Sequence, residues 1–190
     1  MAWNTPYVLL NCTRGWGKSS IIDALIMAKT MLYPSYGAYI ASGTGGQAQQ
    51  TFQTLINIAQ KNINSMASLT DIFSKELEIR NATGDGFIRN PEGYYYNLYN
   101  KSFCKTLNSN VDRRRGNRAN LVVFDECGWL DANLMNVFGA FTIVNEDAKT
   151  GADIDQTVLH SLPLGAPHQL IYISSASQVG TPFYQKYRDF

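Results

Sequence analysis

A short polar loop near the start of the chain separates an apolar run from a helix-like segment. After the apolar residues 7–10 and before the helix-like residues 20–25, the loop reads Arg14-Gly15-Trp16-Gly17-Lys18-Ser19. In such a loop, backbone N–H groups and the following helix N-terminus converge on phosphate oxygens. Lys18 can then reach the terminal phosphates, and Ser19 can hold Mg²⁺. The usual eight-residue pattern starts with glycine where this chain has Cys12, so the prediction of a phosphate site needs support from elsewhere.

That support comes from an apolar run in the second half of the chain that ends in two acids. It reads Asn120-Leu121-Val122-Val123-Phe124-Asp125-Glu126. The run predicts a strand buried on both faces, and open α/β sheets bind ligands at the carboxyl ends of such strands. Asp125 can hold Mg²⁺ through its water shell, and Glu126 can point at the water that attacks the γ-phosphate. The alternative is an ordinary buried strand, which the pairing with the loop disfavours.

Composition limits the remaining possibilities. The chain has 190 residues, 45% hydrophobic and 12% aromatic, which favours a single domain over residues 1–190. Its net charge of +1 excludes a strongly basic scaffold, so any DNA contact must come from a local patch. Three cysteines without a C-x-x-C pair indicate a reduced setting and no structural zinc. Because no signal peptide or membrane-length apolar stretch occurs, we expect a soluble protein with no membrane partner.

Predicted strands alternate with predicted helices along the chain. Apolar spacing predicts a helix after the loop that ends at Pro34, a long helix over residues 47–64 and another helix over 130–141. Strands are expected at 36–42 and 170–175, and a short helix near the end of the chain. The expected fold class is therefore α/β, with a mostly parallel sheet and helices on both faces.

Two segments have weaker patterns. Between residues 81 and 107 the sequence changes to short extended pieces, with strands expected at 94–99 and 102–107. We interpret this tyrosine-rich hairpin as decoration at the sheet edge. Residues 145–167 have no strong periodicity, which predicts a loop or a weak helix.

Taken in order, these motifs resemble the ATPase domain of the large terminase subunit, the motor that packages DNA into tailed-phage and herpesvirus-type capsids. Terminases lack the first glycine of the loop and carry an arginine four positions before the lysine. This chain has Cys12 in place of that glycine and Arg14 in the position of that arginine. Residues 40–44 resemble the family's next block, and 121–130 resemble its acidic strand and aromatic turn. Residues 174–177, Ser-Ser-Ala-Ser, resemble the coupling motif that senses the γ-phosphate.

The resemblance implies a P-loop NTPase of the additional-strand class that hydrolyses ATP, with ATP and Mg²⁺ as cofactors. Glu126 would be the catalytic glutamate, Lys18 and Arg14 would assist it, and Ser19 and Asp125 would bind the metal. The residues expected to contact the nucleotide are Thr13, Arg14, Gly15, Trp16, Gly17, Lys18, Ser19, Ser20, Ser174 and Ser175. The implied partners are double-stranded DNA, the portal protein and the small terminase subunit, in the cytoplasm of the infected host cell.

Two parts of the family pattern are missing from this sequence. Terminases carry residues upstream of the loop that contact adenine, whereas eleven residues precede Cys12 here. They also carry a C-terminal nuclease domain with an acidic two-metal site, whereas this sequence ends at Phe190. We therefore expect an ATPase fragment or a split gene product, without nuclease activity.

A dense basic run precedes the acidic strand and reads Arg113-Arg114-Arg115-Gly116-Asn117-Arg118. One interpretation is a solvated loop. In ring-forming terminases an arginine at this place enters the neighbouring subunit's site, so the resemblance implies that one of Arg113, Arg114, Arg115 or Arg118 is an arginine finger. The assembled protein would then be a homo-oligomeric ring, and the isolated fragment a monomer. Arg14 acting within its own subunit is the alternative.

Two other functions fit parts of the sequence. A helicase-like P-loop ATPase shares the same acidic pair, but it would need further arginine motifs in a second motor domain. A nucleotide-gated binding module would bind ATP without turnover, and the presence of Glu126 argues against it.

Overall fold

The computed structural model of the chain describes residue 3 and residues 5–60, 86–90, 93–98, 100–107, 118–142, 168–175 and 179–189. These residues form one sheet with helices on both faces. The strands are β1 Tyr7–Asn11, β2 Gly37–Ser42, β3 Gly86–Asn90, β4 Gly93–Asn97, β5 Phe103–Leu107, β6 Leu121–Asp125 and β7 Gln169–Ser174. The helices are α1 Lys18–Leu32, α2 Gly45–Gln60, α3 Ala132–Gly139 and α4 Pro182–Asp189, with 3-10 turns at Cys127–Trp129 and Ala140–Thr142.

The seven-stranded sheet has the order β1-β7-β6-β2-β5-β4-β3. The five strands from β1 to β5 in this order pair in parallel, and β4 runs antiparallel to both of its neighbours, β5 and β3. The predicted α/β class with a mostly parallel sheet is confirmed. β7 lies between β1 and β6. β1 leads into residues 12–19, the predicted phosphate loop, and β6 is the strand that ends in Asp125.

Two apolar clusters cover the two faces of the sheet. On one face, α1 and α2 contribute Ile26 and Phe52, among other residues. On the other, α3 and α4 contribute Phe138 and Phe183, which join a stacked pair formed by Phe124 and Tyr172, with ring centroids 5.0 Å apart. The strands β2, β6 and β7 are buried along their whole length. This explains their continuous apolar sequences, because parallel strands with both faces covered have no solvent-facing side.

The tyrosine-rich hairpin is confirmed, but its interpretation as edge decoration is wrong. β5 pairs with β2 inside the sheet, and β4 pairs with β5. Tyr96 of β4 is fully buried, and its hydroxyl shares a 2.9 Å hydrogen bond with Thr30 Oγ1 of α1. The hairpin therefore packs into the core beneath α1. The sequence did not predict β3, which forms the outer edge beyond β4.

The other predicted elements agree with the structure to within a few residues. The long helix begins at Gly45 and is described to Gln60, so residues 61–64 of the predicted helix lie outside the described residues. The loop or weak helix expected at 145–167 also lies outside them. Over the part of the chain that the structure describes, no helix is both long and apolar enough to cross a membrane.

Asp23 of α1 is a fully buried carboxyl group in the core below the loop. Neither of its oxygens has a hydrogen-bond partner among the described residues. Burial, followed by the nearby charge of Asp125, raises the pKa of Asp23 from 3.8 to about 8. Asp23 is therefore protonated at neutral pH, because an unpaired buried charge would cost far more than a neutral acid.

Replacing Asp23 with asparagine should remove a pH dependence of stability. The folded-state pKa, about 8, exceeds the ordinary value of 3.8, so the folded protein keeps a proton that the unfolded chain releases. Stability should therefore fall as pH rises from about 4 to about 8, by up to about 1.4 kcal/mol per pH unit relative to Asp23→Asn, and the difference should level off above that window. Urea unfolding of both proteins across this range measures it. A difference that does not vary with pH would contradict the prediction.

Candidate functional site

A cavity of about 390 Å³ opens at the edge of the sheet where the parallel strands end. Its walls come from the phosphate loop, the end of β6 and the helix α2. The lining residues are Arg14, Gly15, Lys18, Ser19, Gln47, Gln50, Thr51, Thr54, Asp125, Glu126 and Trp129. The structure thus brings together the two motifs that the sequence places more than half the chain apart.

Two glycines shape the loop between β1 and α1. Gly15 and Gly17 have φ angles of 81° and 82°, in the left-handed region that residues with a side chain rarely adopt. A Cβ atom at either position would meet no atom within 4 Å, so the glycine requirement is conformational rather than steric. Cys12 has no positive φ, so the backbone at the first position of the pattern accepts a side chain.

The N-terminus of α1 faces the cavity without a side-chain cap. Its N-cap residue is Gly17, and the first turn contains no acidic residue. The first N–H groups of a helix have no partner within the helix, and they carry the positive end of its dipole. This helix end is therefore suited to bind an anion such as a phosphate.

Asp125 is held from two sides at the end of β6. Thr51 Oγ1 donates a hydrogen bond of 2.7 Å to Asp125 Oδ2, and the Glu126 N–H donates one of 3.0 Å to Asp125 Oδ1. Asp125 is buried at 5% exposure, and its contact with Thr51 is shielded from solvent. Its orientation is therefore fixed jointly by α2 and by the turn after β6.

Lys18 lies between the two acids. Its Nζ donates a hydrogen bond to Glu126 Oε1 and lies 3.9 Å from Asp125 Oδ1. The lysine thus neutralises part of the charge of two adjacent carboxylates. A phosphate group entering the cavity would compete with Glu126 for the same ammonium.

Glu126 reaches the cavity because the backbone turns sharply after β6. Its φ of 54° is left-handed, which is costly for a residue with a side chain. Hydrogen bonds on both sides hold this turn: the Trp129 N–H donates to Glu126 O at 3.0 Å, and the Gly128 N–H donates to Ser174 Oγ at 3.0 Å. Strained residues of this kind are common at functional sites.

The site residues predicted from the sequence occupy different positions relative to the cavity. Four loop residues line it, namely Arg14, Gly15, Lys18 and Ser19, together with both acids. The loop residues Thr13, Trp16, Gly17 and Ser20 are exposed beside it and are not among its lining residues. Ser174 is buried, Ser175 is half-buried, and neither lines the cavity. Nucleotide contact by these six residues stays a prediction.

The predicted metal ligands are compatible with Mg²⁺. Ser19 and Asp125 line the same cavity and offer a hydroxyl and a carboxylate oxygen, which are the hard donors that Mg²⁺ prefers. The described residues contain no group of three or more histidine, cysteine or acidic side chains that could hold a metal. A site with few protein ligands suits Mg²⁺, which keeps several waters and binds substrate phosphates.

The candidate arginines are placed differently from one another. Arg14 lines the cavity. Arg118 is exposed and precedes β6, whose five residues put roughly 15 Å between its two ends at about 3.3 Å per residue. Asp125 is the last residue of that strand and lines the cavity. Arg118 therefore lies beyond the other end of the strand, away from the cavity of its own subunit. Arg113, Arg114 and Arg115 lie outside the described residues.

Sequence reasoning missed five residues of the cavity wall. Trp129 is one of them, and the other four come from α2: Gln47, Gln50, Thr51 and Thr54. The α2 residues share one face of the helix, next to the face that carries the buried residues Ala48 and Phe52. The spacing of these polar residues was a usable signal, because a polar stripe on a helix beside a predicted site can face that site.

Solved structures of phage proteins share this fold. The large terminase of bacteriophage HK97 matches with a TM-score of 0.58 and 16% identity, over 97% of this chain and 32% of that chain. The large terminase of a thermophilic bacteriophage in complex with ADP matches with a TM-score of 0.62 and 11% identity, over 97% of this chain and 37% of that chain. A mutant of the large terminase ATPase domain of Thermus phage P74-26 matches with a TM-score of 0.54 and 13% identity, over 94% of this chain and 62% of that chain.

The present chain thus spans about a third of the length of two of these proteins. No protein-family model matches the sequence, and neither does any curated protein. The resemblance predicted from the sequence is confirmed at the level of the fold: the chain has the fold of the large-terminase ATPase domain.

The loop geometry predicts opposite effects for two glycine-to-alanine changes. Gly17→Ala should destabilise the protein by about 1–2 kcal/mol, because alanine is strained at a left-handed φ. Gly46→Ala, in the first turn of α2, should be neutral or stabilising by up to about 1 kcal/mol, since its added Cβ meets nothing within 4 Å. Urea unfolding compares the two variants with the parent protein. Equal stability of the two would contradict a fixed left-handed loop.

Proposed function

We propose that this chain is the ATP-hydrolysing motor domain of a viral terminase large subunit, which drives double-stranded DNA into a procapsid. The observation that carries the proposal is a single cavity lined by Lys18, Ser19, Asp125 and Glu126. Phosphate binding, metal binding and activation of water each need one of these groups. The fold shared with large terminases supports the same conclusion.

The phosphate loop would bind the triphosphate of ATP. Uncapped N–H groups at the start of α1 would donate to phosphate oxygens, and Lys18 would move from Glu126 to the terminal phosphates. Ser19 and Asp125 would hold Mg²⁺, which when bound neutralises charge on the phosphate oxygens. Gly15 and Gly17 supply the left-handed φ angles through which the loop joins β1 to the start of α1.

Glu126 would orient the attacking water and accept its proton. Its carboxylate lines the cavity next to Lys18. When a phosphate takes the ammonium, the carboxylate of Glu126 is released from Lys18 and can contact a water molecule in the cavity. Binding of the substrate would in this way prepare the catalytic base.

The two alternative functions are less well supported. A nucleotide-gated module without turnover would not need a catalytic glutamate. Glu126 has a strained backbone and lies beside Lys18, the lysine proposed to bind phosphate, which favours a catalytic role. A helicase-like ATPase would share this site, but the present chain matches the fold of large terminases. DNA, portal protein and small terminase subunit would be partners of the assembled motor in the infected cell.

The arginine finger would act between subunits of a homo-oligomeric ring. Arg118 lies at the far edge of the sheet from its own cavity, which favours action on a neighbour if this residue is the finger. Arg113, Arg114 and Arg115 are the other candidates. Arg14 already lines the cavity and is the alternative within one subunit.

Glu126→Gln should retain ATP binding and lose about 10²- to 10⁴-fold in hydrolysis, because the amide keeps the shape but cannot accept a proton. Steady-state ATPase assays and calorimetric ATP titration measure the two effects. As a control, Asp189→Asn makes the same acid-to-amide change on the exposed end of α4 and should leave the rate unchanged. Hydrolysis at the parental rate by Glu126→Gln would refute its role as the base.

The ring model predicts an ATPase rate that rises more than linearly with protein concentration, because each site borrows an arginine. Alanine at the responsible position, tested at Arg113, Arg114, Arg115 and Arg118 in turn, should keep ATP binding and lose stimulation by as much as about a thousandfold. The matched control is Arg188→Ala on the exposed face of α4.

Mixing the inactive arginine variant with Glu126→Gln should restore part of the activity, since one protein supplies the finger and the other an intact site. If no arginine variant is rescued while the parent protein is active, Arg14 within the same subunit becomes the better candidate.

A further inference from the structure

One face of α2 carries a polar stripe that forms a wall of the cavity. Gln47, Gln50, Thr51 and Thr54 line it at helical spacing. Unlike the other three, Thr51 is buried, at 7% exposure, so its hydroxyl depends on protein partners.

The hydroxyl of Thr51 has one proton and two acceptors within reach. It lies 3.3 Å from the backbone oxygen of Gln47 and 2.7 Å from Asp125 Oδ2. The shorter contact has the distance expected for a hydroxyl that donates to an ionised carboxylate, a bond stronger than one to a neutral carbonyl. The proton of Thr51 is therefore directed at Asp125.

This bond is one of two that hold the carboxylate of Asp125, beside the Lys18 ammonium 3.9 Å from Oδ1. Oδ2 accepts from Thr51, and Oδ1 accepts from the Glu126 N–H. Each carboxylate oxygen has a second lone pair that these donors do not use. With both oxygens held from the protein side, the carboxylate cannot rotate away from the cavity without breaking a buried hydrogen bond.

We infer that Thr51 is a positioning residue for metal binding, which acts by orienting Asp125 toward Mg²⁺. The inference rests on the proposed function, since it concerns the metal of that same site. Residues that hold a metal ligand through a hydrogen bond typically change metal affinity or activity by about 10- to 100-fold when they are replaced. Thr51 should belong to this class through its hydrogen bond to Asp125.

The test is calorimetric titration of the whole chain with ADP, once with Mg²⁺ and once with EDTA. The ratio of the two affinities is the Mg²⁺ effect, and it does not depend on hydrolysis. Thr51→Val, which keeps the size but removes the hydroxyl, should reduce this effect about tenfold or more and leave ADP binding in EDTA unchanged. Thr51→Ser retains the hydroxyl and should restore the effect.

Thr30→Val is the matched control. Thr30 is also a buried threonine in a helix, and its hydroxyl bonds to a backbone oxygen and to Tyr96 instead of to the site. This variant should lose stability but keep the full Mg²⁺ effect. In an Asp125→Asn background, Thr51→Val should produce no further loss, because the residue acts through Asp125.

The outcomes separate the inference from the proposed function. A parent protein that binds no ADP under either condition contradicts the proposed function. A parent protein with a clear Mg²⁺ effect that Thr51→Val retains contradicts the inference alone. Thr51→Ala replaces the valine variant if the latter is unfolded by circular dichroism, and unfolding of both would assign Thr51 a structural role and overturn the inference.

Discussion

A single residue at the end of β7 joins the two halves of the site. The backbone oxygen of Ser174 accepts a hydrogen bond of 3.0 Å from the Cys12 N–H, at the start of the phosphate loop. Its side-chain oxygen accepts one of 3.0 Å from the Gly128 N–H, in the turn that contains Glu126. Ser174 itself is buried, at 1% exposure. The spacing between the loop and the acidic turn therefore depends on the strand inserted between them.

The same arrangement explains why the site can contain a strained residue. Glu126 adopts a left-handed conformation that costs roughly 1–2 kcal/mol. Well-packed neighbours can hold a residue in such a strained conformation. Here the neighbours are Cys127, which is buried below the turn, and the stacked rings of Phe124 and Tyr172. The apolar side of the turn belongs to the core, while its polar side faces the cavity. Stability and the geometry of the site are thus supplied by the same segment.

The sequence predicted the parts of the fold that depend on local patterns. Continuous apolar strands, the glycine loop and the acids at the end of β6 are short-range signals. They predicted the sheet, and they pointed to Lys18, Asp125 and Glu126, which the structure brings to one cavity. The edge strand β3 was missed because its segment lacks a clear alternating pattern. The α2 wall was missed for a different reason: Thr51 and Asp125 are far apart in sequence, and only the packing of α2 against the sheet brings them within hydrogen-bond distance.

The electrostatics of the cavity also indicate why a neighbouring subunit would matter. Among the described residues that line it, Lys18 and Arg14 are basic and Asp125 and Glu126 are acidic, so their charges cancel. α2 contributes only amides and hydroxyls to the wall, since its sequence contains no charged residue. ATP carries about four negative charges and Mg²⁺ offsets two of them, which leaves an excess of negative charge that grows on the leaving phosphates during transfer. In the proposed ring, an arginine supplied by a neighbouring subunit would neutralise that excess.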